Sequence, residues 1–243
     1  MESKPNPKTF AVFGHLDGIE AARTLESQSH SVILLPKPVV ATVKFEKGVA
    51  EKLKRLHEFD WIVFVDRLAA NHFFIAAHGA GLPALNLDEL RICAVGESVV
   101  RELRKRFVHS DLICHSREPA RIIGSIMNYS GDDKGNRTLI ISGNDARPAF
   151  ESFSAGSVYI ETIPVYDLAF DPSGEPGKTL ALINGGAVDS ILFCSVDDVL
   201  AYGKLVSGRI GADVIADTQF FSTDADTHEG AAVLGISSRL FRP

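Results

Sequence analysis

Short runs of apolar residues alternate along the chain with longer segments in which polar and apolar positions mix at helical spacing. The short runs, rich in β-branched and aromatic residues, predict strands at residues 9–13, 31–35, 60–65, 91–95, 111–114, 138–141, 158–163, 190–194 and 213–216. The mixed segments predict helices at residues 17–27, 45–57, 68–77, 97–106, 119–127, 147–150, 179–184, 197–205 and 229–234. Such regular alternation is typical of βα units on parallel sheets.

Prolines interrupt this pattern twice, at residues 36–38 and 164–176. Proline cannot continue a helix and removes a donor from a sheet, so we interpret both breaks as crossings between lobes. Two breaks around a middle segment predict that one lobe is inserted into the other. The outer lobe would comprise residues 1–36 and 167–243, and the inserted lobe residues 37–166. The predicted fold class is therefore α/β, with two doubly wound, flavodoxin-like lobes of parallel sheet.

Charge and hydropathy exclude several classes of partner. The formal net charge of −6 argues against nucleic acid, which requires a basic face. The basic residues within 101–106 lie on one predicted helix and are expected to form a solvated face. No apolar run approaches the roughly 20 residues that span a bilayer. Residues 1–7 are polar and lack the apolar segment of a secretory signal, so we expect a cytoplasmic protein without membrane contact.

The sequence carries no pattern typical of a cofactor or metal site. The three cysteines, Cys93, Cys114 and Cys194, lie in apolar runs and are expected to be small buried hydrophobic residues. His72 and His78 lie six residues apart, which places them on different faces of a helix. The segment 177–179 resembles the end of a phosphate-binding loop, but the required earlier glycine is absent. Dinucleotide and nucleophile motifs are also absent, so we expect neither a cofactor nor a metal.

Three strand-to-helix loops have the layout of anion sites, at residues 95–98, 141–144 and 193–197. Backbone N–H groups at helix starts bind carboxylates and phosphates. Each loop taken alone is also explained if Gly96, Ser142 and Ser195 are ordinary turn or capping residues. The three loops together, in two lobes, favour a cleft for a polyanion. Both interpretations stay open at this point.

Four segments in order carry a family resemblance. They comprise an apolar strand followed by a helix with two adjacent phenylalanines, a strand–glycine–helix signature, a return crossing and a late apolar strand, at residues 60–74, 92–103, 146–166 and 191–195. Together they resemble the uroporphyrinogen-III synthase family over roughly residues 9–200. The resemblance implies two α/β lobes joined by a two-stranded connector.

The resemblance also implies a reaction in tetrapyrrole and heme biosynthesis. Hydroxymethylbilane, a linear tetrapyrrole with many carboxylates, would lose its terminal hydroxyl in the cleft between the lobes. It would then close through a spiro intermediate to uroporphyrinogen III, with ring D inverted and no cofactor. We expect a monomeric lyase whose partner is this small molecule. Tyr166 matches the family's cleft tyrosine and is the predicted catalytic residue, assisting departure of the hydroxyl. The predicted substrate-binding residues are Gly96, Ser98, Ser142, Asn144 and Ser195.

The chain departs from the family pattern at four places. After the first strand, where the family often has Thr-Arg-Pro, this chain has Phe13-Gly14-His15, so that arginine is missing. The helix-start threonine after Gly96 is replaced by Val99, and Ser98 is the substitute. Asp66 stands where a threonine–serine pair is usual, and its carboxylate would repel an anionic substrate unless it faces away. The region 195–229 shows no clear equivalent of a further strand and helix start. These departures leave two alternatives: a catalytically degenerate synthase-like protein that binds a tetrapyrrole or other small anion, and an unrelated two-lobed small-molecule sensor.

Overall fold

The apolar segments form strands whose side chains are buried on both faces. All four residues of the strand at Trp61–Phe64 are buried, as are all four of the strand at Ser190–Phe193. Strands covered on both sides are typical of parallel sheets with helices on each face. The structure is a computed structural model that describes residues 7–45, 47–82, 87, 89–131, 137–153, 158–206 and 217–242.

Strands and helices alternate through the described residues. The strands are β1 Thr9–Phe13, β2 Ser31–Leu35, β3 Pro38–Thr42, β4 Trp61–Phe64, β5 Arg91–Val95, β6 Leu112–Cys114, β7 Arg137–Gly143, β8 Tyr159–Phe170, β9 Ser190–Phe193, β10 Gln219–Ser222 and β11 Ser238–Leu240. The helices are α1 Leu16–Ser27, α2 Lys47–Lys54, α3 Arg67–Gly79, α4 Glu97–Arg104, α5 Pro119–Ser130, α6 Arg147–Glu151, α7 Pro176–Asn184, α8 Val196–Val206 and α9 Ala225–Val233. Short 3-10 turns cover Leu56–Glu58 and Pro172–Gly174.

The chain divides into two compact units. The first unit comprises Met1–Val39 and Ala169–Pro243, and the second unit comprises Val40–Leu168. In the first unit, five parallel strands lie in the order β11-β10-β9-β1-β2. Part of its core is a cluster of buried residues from strands β1 and β9 and helix α1: Phe10, Val12, Ala22, Leu25 and Leu192.

The second unit is built on a six-stranded sheet in the order β3-β8-β7-β4-β5-β6. The pairs β8-β7, β7-β4, β4-β5 and β5-β6 are parallel. The edge strand β3 lies beside β8, and the N–H of Val43 donates to the carbonyl of Val165 at 2.9 Å. The predicted α/β class with two parallel sheets is therefore confirmed.

The two sheets share one neighbour arrangement, although the chain enters them at different strands. In the first unit β1 is central, between β2 and β9, and β10 and β11 extend the sheet beyond β9. In the second unit β7 lies between β8 and β4, and β5 and β6 extend the sheet beyond β4. When β7, β8, β4, β5 and β6 are numbered 1 to 5, the second sheet has the flavodoxin-like strand order 2-1-3-4-5. The first sheet has the same order when its five strands are numbered along the chain. In each sheet the order reverses at one point, between β1 and β9 or between β7 and β4.

Proline does not interrupt the sheet as the sequence predicts. Pro38 is the first residue of β3, and β3 is an edge strand, where a missing N–H is tolerated. β8 extends through Pro164 to Phe170. Pro164 pairs with Ser142, next to a shift of register between Ser142 and Gly143, and a proline is tolerated at such an irregularity. The predicted end of this strand near residue 163 is therefore wrong.

The C-terminal region contains the elements that the sequence does not reveal. Strand β10 follows Thr218, helix α9 begins after Asp224, and β11 completes the sheet. The expectation that a strand and a helix start are missing between residues 195 and 229 is wrong. The predicted helix at 229–234 instead begins at Ala225, because Asp224 accepts the N–H of Thr227 at 2.8 Å and caps it. The strand predicted at 213–216 lies outside the described residues.

The described ranges also bear on metal, membrane and cysteine chemistry. Within them, no three His, Cys, Asp or Glu side chains are grouped so as to hold a metal ion. Among the helices described above, none has the length and apolar character needed to cross a bilayer. Cys93 and Cys114 are buried as predicted, whereas Cys194 is only partly buried.

Candidate active site

Asp66 is the hub of a polar cluster at the carboxyl edge of the second unit's sheet. It follows β4 and caps α3, accepting the N–H of Ala69 at 2.7 Å through Oδ1. Its other oxygen, Oδ2, accepts hydrogen bonds from the Tyr166 hydroxyl at 2.9 Å and from Nη2 of Arg117 at 2.5 Å. The residue is 5% exposed. The carboxylate therefore faces into the second unit, and Arg117 compensates its charge.

Tyr166, the predicted catalytic residue, is buried in this cluster. It lies on β8, is 3% exposed, and directs its hydroxyl proton at Asp66. Burial, reinforced by the Asp66 charge and opposed by Arg117, raises the pKa of Tyr166 well above its ordinary value. The phenol is consequently protonated at neutral pH and is a hydrogen-bond donor.

Gly143 makes room for the Tyr166 ring. A Cβ atom at position 143 would lie 2.5 Å from Cζ and 2.9 Å from the hydroxyl oxygen of Tyr166. Both distances are shorter than any van der Waals contact, so a side chain at position 143 would displace the ring. On another side, the His72 ring lies 5.8 Å from the Tyr166 ring between centroids. The tyrosine is thus fixed by packing as well as by its hydrogen bond.

Arg117 is a site residue that the sequence reasoning missed. It lies three positions after the end of β6, and its side chain is 21% exposed. Burial lowers the pKa of Arg117, but the nearby Asp66 and Tyr166 raise it by more, so the pKa of Arg117 lies above its ordinary value. Its Nε is buried without a hydrogen-bond partner in the described structure. The only signal in the sequence is an arginine shortly after a predicted strand end.

Gly96 and Ser98 lie at the start of α4, after the neighbouring strand β5. Gly96 adopts φ 88°, a backbone conformation that favours glycine, and its N–H donates to the Cys114 carbonyl at 2.8 Å. The N-cap residue of α4, Gly96, provides no side-chain cap, whereas Asp66 caps α3. Ser98 is buried. Because β4, β5 and β6 are parallel neighbours, Asp66, Gly96 and Arg117 follow three adjacent strand ends on one edge.

Ser142 and Asn144 lie at the end of β7, beside the cluster. Ser142 is 0% exposed, and its hydroxyl has no hydrogen-bond partner in the described structure. The backbone N–H of Asn144 donates to the Tyr166 carbonyl at 3.0 Å, and its side-chain amide donates to Asp167 at 2.6 Å. In the predicted loop at 141–144, the backbone N–H of Asn144 is therefore used within the sheet and is not open to a ligand. The Ser142 hydroxyl, which has no partner among the described residues, lies where the strand order reverses.

Ser195, the remaining predicted residue, lies in the first unit after β9. Its hydroxyl accepts the N–H of Asp198 at 3.3 Å. The buried Asp198 carboxylate in turn accepts the N–H of Cys194 at 2.8 Å and lies 2.6 Å from Nε2 of His15. Two backbone N–H groups at this loop, those of Cys194 and Asp198, are thus occupied by the protein's own side chains and not open to a ligand.

The His15–Asp198 pair makes the stability of the first unit depend on pH. The hydrogen bond to Asp198, opposed by burial and aided by the charges of Asp198, Asp17 and Asp197, raises the pKa of His15 above 6.5. The stabilisation is therefore complete below the unfolded-state pKa and is lost as the pH rises through the folded-state pKa. We expect the parent protein to exceed His15→Asn in stability by more at pH about 5.5 than at pH about 8.5. Chemical denaturation followed by circular dichroism measures this, and an equal difference at both values would contradict it.

The comparisons with known proteins agree on one family. A protein-family model described as uroporphyrinogen-III synthase HemD matches residues 19–238. The solved Thermus thermophilus uroporphyrinogen III synthase has a TM-score of 0.62 and 14% sequence identity, covering 96% of this chain and 92% of that chain. A selenomethionine-labelled mutant of the synthase from the same organism has a TM-score of 0.60 and 15% identity, covering 97% of this chain and 92% of that chain. No curated protein sequence matches significantly.

These findings differ in what they establish. At 14–15% identity, the likeness to the solved structures concerns the fold alone. The family model reaches further, because residues 19–238 take in the whole six-stranded sheet of the second unit, most of the first unit and the polar cluster around Asp66. The chain belongs to the uroporphyrinogen-III synthase HemD family.

Proposed function

We propose that this chain is an active uroporphyrinogen-III synthase. It would convert hydroxymethylbilane into uroporphyrinogen III and water, with inversion of ring D and without a cofactor. The observation that carries the proposal is the match of the family model to residues 19–238, which include every described strand except β1 and the last two residues of β11. The polar cluster on the second unit supports it, because it brings a proton donor and a cation to one sheet edge.

The proposed chemistry consists mainly of positioning. The linear substrate closes unaided to the wrong isomer, so the protein must hold it where attack through the spiro intermediate is faster than direct closure. Departure of the terminal hydroxyl requires a proton. Tyr166 is the proposed donor, and its hydroxyl must turn from Asp66 toward the leaving oxygen for that step.

The substrate carboxylates are proposed to bind along the same edge. Arg117 supplies a partly exposed guanidinium, a group that pairs well with carboxylates. Gly96 and Ser98 supply the start of α4, where the N-cap glycine makes no side-chain hydrogen bond. Ser142 and Asn144 are proposed to make further polar contacts at this edge, and the role predicted for Ser195, in the first unit, stays a prediction. Of these, Ser142 has the strongest support, because its buried hydroxyl has no partner among the described residues.

One observation favours a second candidate function. The Tyr166 proton is directed at a carboxylate inside the unit, and the residue is almost fully buried. A protein in which this hydrogen bond never breaks would bind the linear tetrapyrrole or another small anion without closing the ring. The two candidates therefore differ in the behaviour of one hydroxyl group.

The isomer ratio of the product separates the two candidates. Hydroxymethylbilane is supplied to the purified chain, the products are oxidised, and type III and type I porphyrins are separated by chromatography. We expect type III to exceed the enzyme-free control. A ratio equal to that control would eliminate the synthase proposal, and saturable substrate binding in the same sample would then support the second candidate.

Tyr166→Phe tests the proposed donor. We expect kcat for type III formation to fall at least about tenfold, because general acid catalysis by a placed side chain contributes a factor of about 10²–10⁴. The ring is kept, so packing against Gly143 is preserved and the circular dichroism spectrum should not change. Tyr129→Phe is the control, because that tyrosine is exposed and lies outside the cluster. Equal kinetics for the two variants would reduce Tyr166 to a packing residue.

A further inference from the structure

The Asp66 carboxylate joins segments that are far apart in sequence. Asp66 and Tyr166 are separated by 100 positions, and Asp66 and Arg117 by 51. One oxygen of Asp66 caps α3, and the other accepts hydrogen bonds from both Tyr166 and Arg117. The carboxylate therefore ties the end of β4 and the loop after β6 to the middle of β8.

Two independent features hold the Tyr166 ring in one place. The first is the hydrogen bond from its hydroxyl to Asp66, at 2.9 Å in a buried environment. The second is the close approach of the Gly143 backbone, which leaves no room for a Cβ atom. Packing fixes the ring plane, whereas Asp66 fixes the direction of the O–H bond. Only the hydrogen bond to Asp66 controls where the proton points.

Arg117 makes this arrangement compatible with proton donation. A lone carboxylate beside the phenol would oppose formation of a phenolate, whereas the positive charge of the nearby Arg117 guanidinium favours it. In the proposed step the proton moves from the Tyr166 hydroxyl to the leaving oxygen, and the C–O bond breaks with its electron pair leaving in water. The proton that the pyrrole carbon loses on ring closure then returns to the phenolate. No other reactant is needed.

We propose that Asp66 is a positioning residue that acts through Tyr166 and holds its hydroxyl in place until the hydroxyl turns toward the leaving oxygen. This inference rests on the proposed function. It gives a role to a residue that departs from the family pattern and that, from sequence alone, looked unfavourable for an anionic substrate. Asp66 acts on the tyrosine, and the substrate meets Arg117 and Tyr166.

Asp66→Asn is the variant that tests the inference. Asparagine is as good a helix cap as aspartate, so α3 keeps its cap while the charge is lost. We expect kcat to fall about tenfold with KM changed less than about twofold, since Asp66 holds the proposed proton donor and does not bind the substrate itself. In a Tyr166→Phe background the same change should have almost no further effect, because the two residues act as one unit.

Asp224→Asn is the matched control. Asp224 caps α9 in the first unit as Asp66 caps α3, but its other side-chain partners are Thr223 and Thr227 instead of a tyrosine. This variant is expected to keep the parent kcat within about twofold, as a conserved capping interaction implies. If Asp66→Asn does not fold by circular dichroism, Asp66→Ser replaces it, because serine also caps helices. An equal kcat for either folded Asp66 variant and the parent would overturn the inference.

A pH profile distinguishes positioning from a merely structural role. The Asp66 charge raises the pKa of Tyr166, so its removal should shift the alkaline limb of the kcat profile to lower pH. Loss of structure alone would lower kcat at every pH without moving the limb, and that result would contradict the inference. A parent protein that forms no excess of type III product would instead overturn the proposed function, so the two failures remain distinguishable.

Discussion

Replacing Arg117 by methionine is expected to destabilise the second unit by about 3 kcal/mol, because the change leaves a buried carboxylate without its cation. Asp66 is 5% exposed and receives Nη2 of Arg117 directly. Methionine keeps most of the aliphatic length, so the loss is chiefly electrostatic. Trp61, the single tryptophan of the chain, is fully buried on β4 and reports on unfolding of this unit. Urea denaturation followed by its fluorescence gives the change in free energy.

A matched control is available four positions further along the chain. Arg121 pairs with Glu118 at 3.0 Å, but both side chains are about 70% exposed, and such pairs contribute roughly 0–1 kcal/mol. Arg121→Met should therefore change the stability far less. Adding Asp66→Asn to Arg117→Met should recover part of the loss, because the unpaired charge disappears. A cost for Arg117→Met no larger than for Arg121→Met would show that Asp66 does not depend on its partner.

Gly143→Ala is expected to cost about 2 kcal/mol and to remove most turnover, because overfilling a packed site forces the Tyr166 ring from its position. The added Cβ would lie 2.5 Å from Cζ of Tyr166, and the clash falls on the ring carrying the proposed proton donor. The stability is measured by urea denaturation and turnover by type III product formation. Both should fall, in contrast to Tyr166→Phe, which should affect turnover far more than folding.

Gly124→Ala serves as the control for this substitution. Gly124 lies in α5 of the same unit, and a Cβ atom there meets nothing within 4 Å. Alanine at a free helical position stabilises a protein by about 0.4–1 kcal/mol. The two glycine variants should therefore change stability in opposite directions. If both behave like Gly124→Ala, the Tyr166 ring is not confined as the structure indicates.

The hydrophobic pattern predicts the fold because central strands are buried on both faces. Residues 61–64 and 191–193 form continuous apolar runs, and such runs are visible without any tertiary information. Edge strands are harder to find, since one side faces solvent and the pattern is weaker. β3 begins at a proline and β11 has only three residues, so neither carries a clear signal. The strand β10 contains only two apolar residues, Phe220 and Phe221, and polar residues flank it on both sides, so the hydrophobic pattern does not predict it.

The sequence predicts those residues of the candidate site whose role follows from their place between a strand and a helix, and not those that depend on contacts distant in sequence. Gly96 stands out because a glycine between a strand and a helix start indicates a special turn, and its φ of 88° agrees. Arg117 and Asp66 pair across 51 positions, and no local pattern reports such a contact. The sequence therefore presented Asp66 as a repulsive charge. Its partner, which removes the repulsion, is visible only when β4, β5 and β6 are placed side by side.

The shared strand order of the two sheets places Asp66 and Ser195 at equivalent points. Each is the second residue after the strand beside the reversal of strand order, and each directly precedes a helix. The Asp66 carboxylate accepts hydrogen bonds from a tyrosine and an arginine, whereas the Ser195 hydroxyl accepts one from the backbone N–H of Asp198. Two sheets of the same strand order thus carry different chemistry at equivalent positions: an ion pair with a buried phenol in the second unit, and a neutral capping contact in the first.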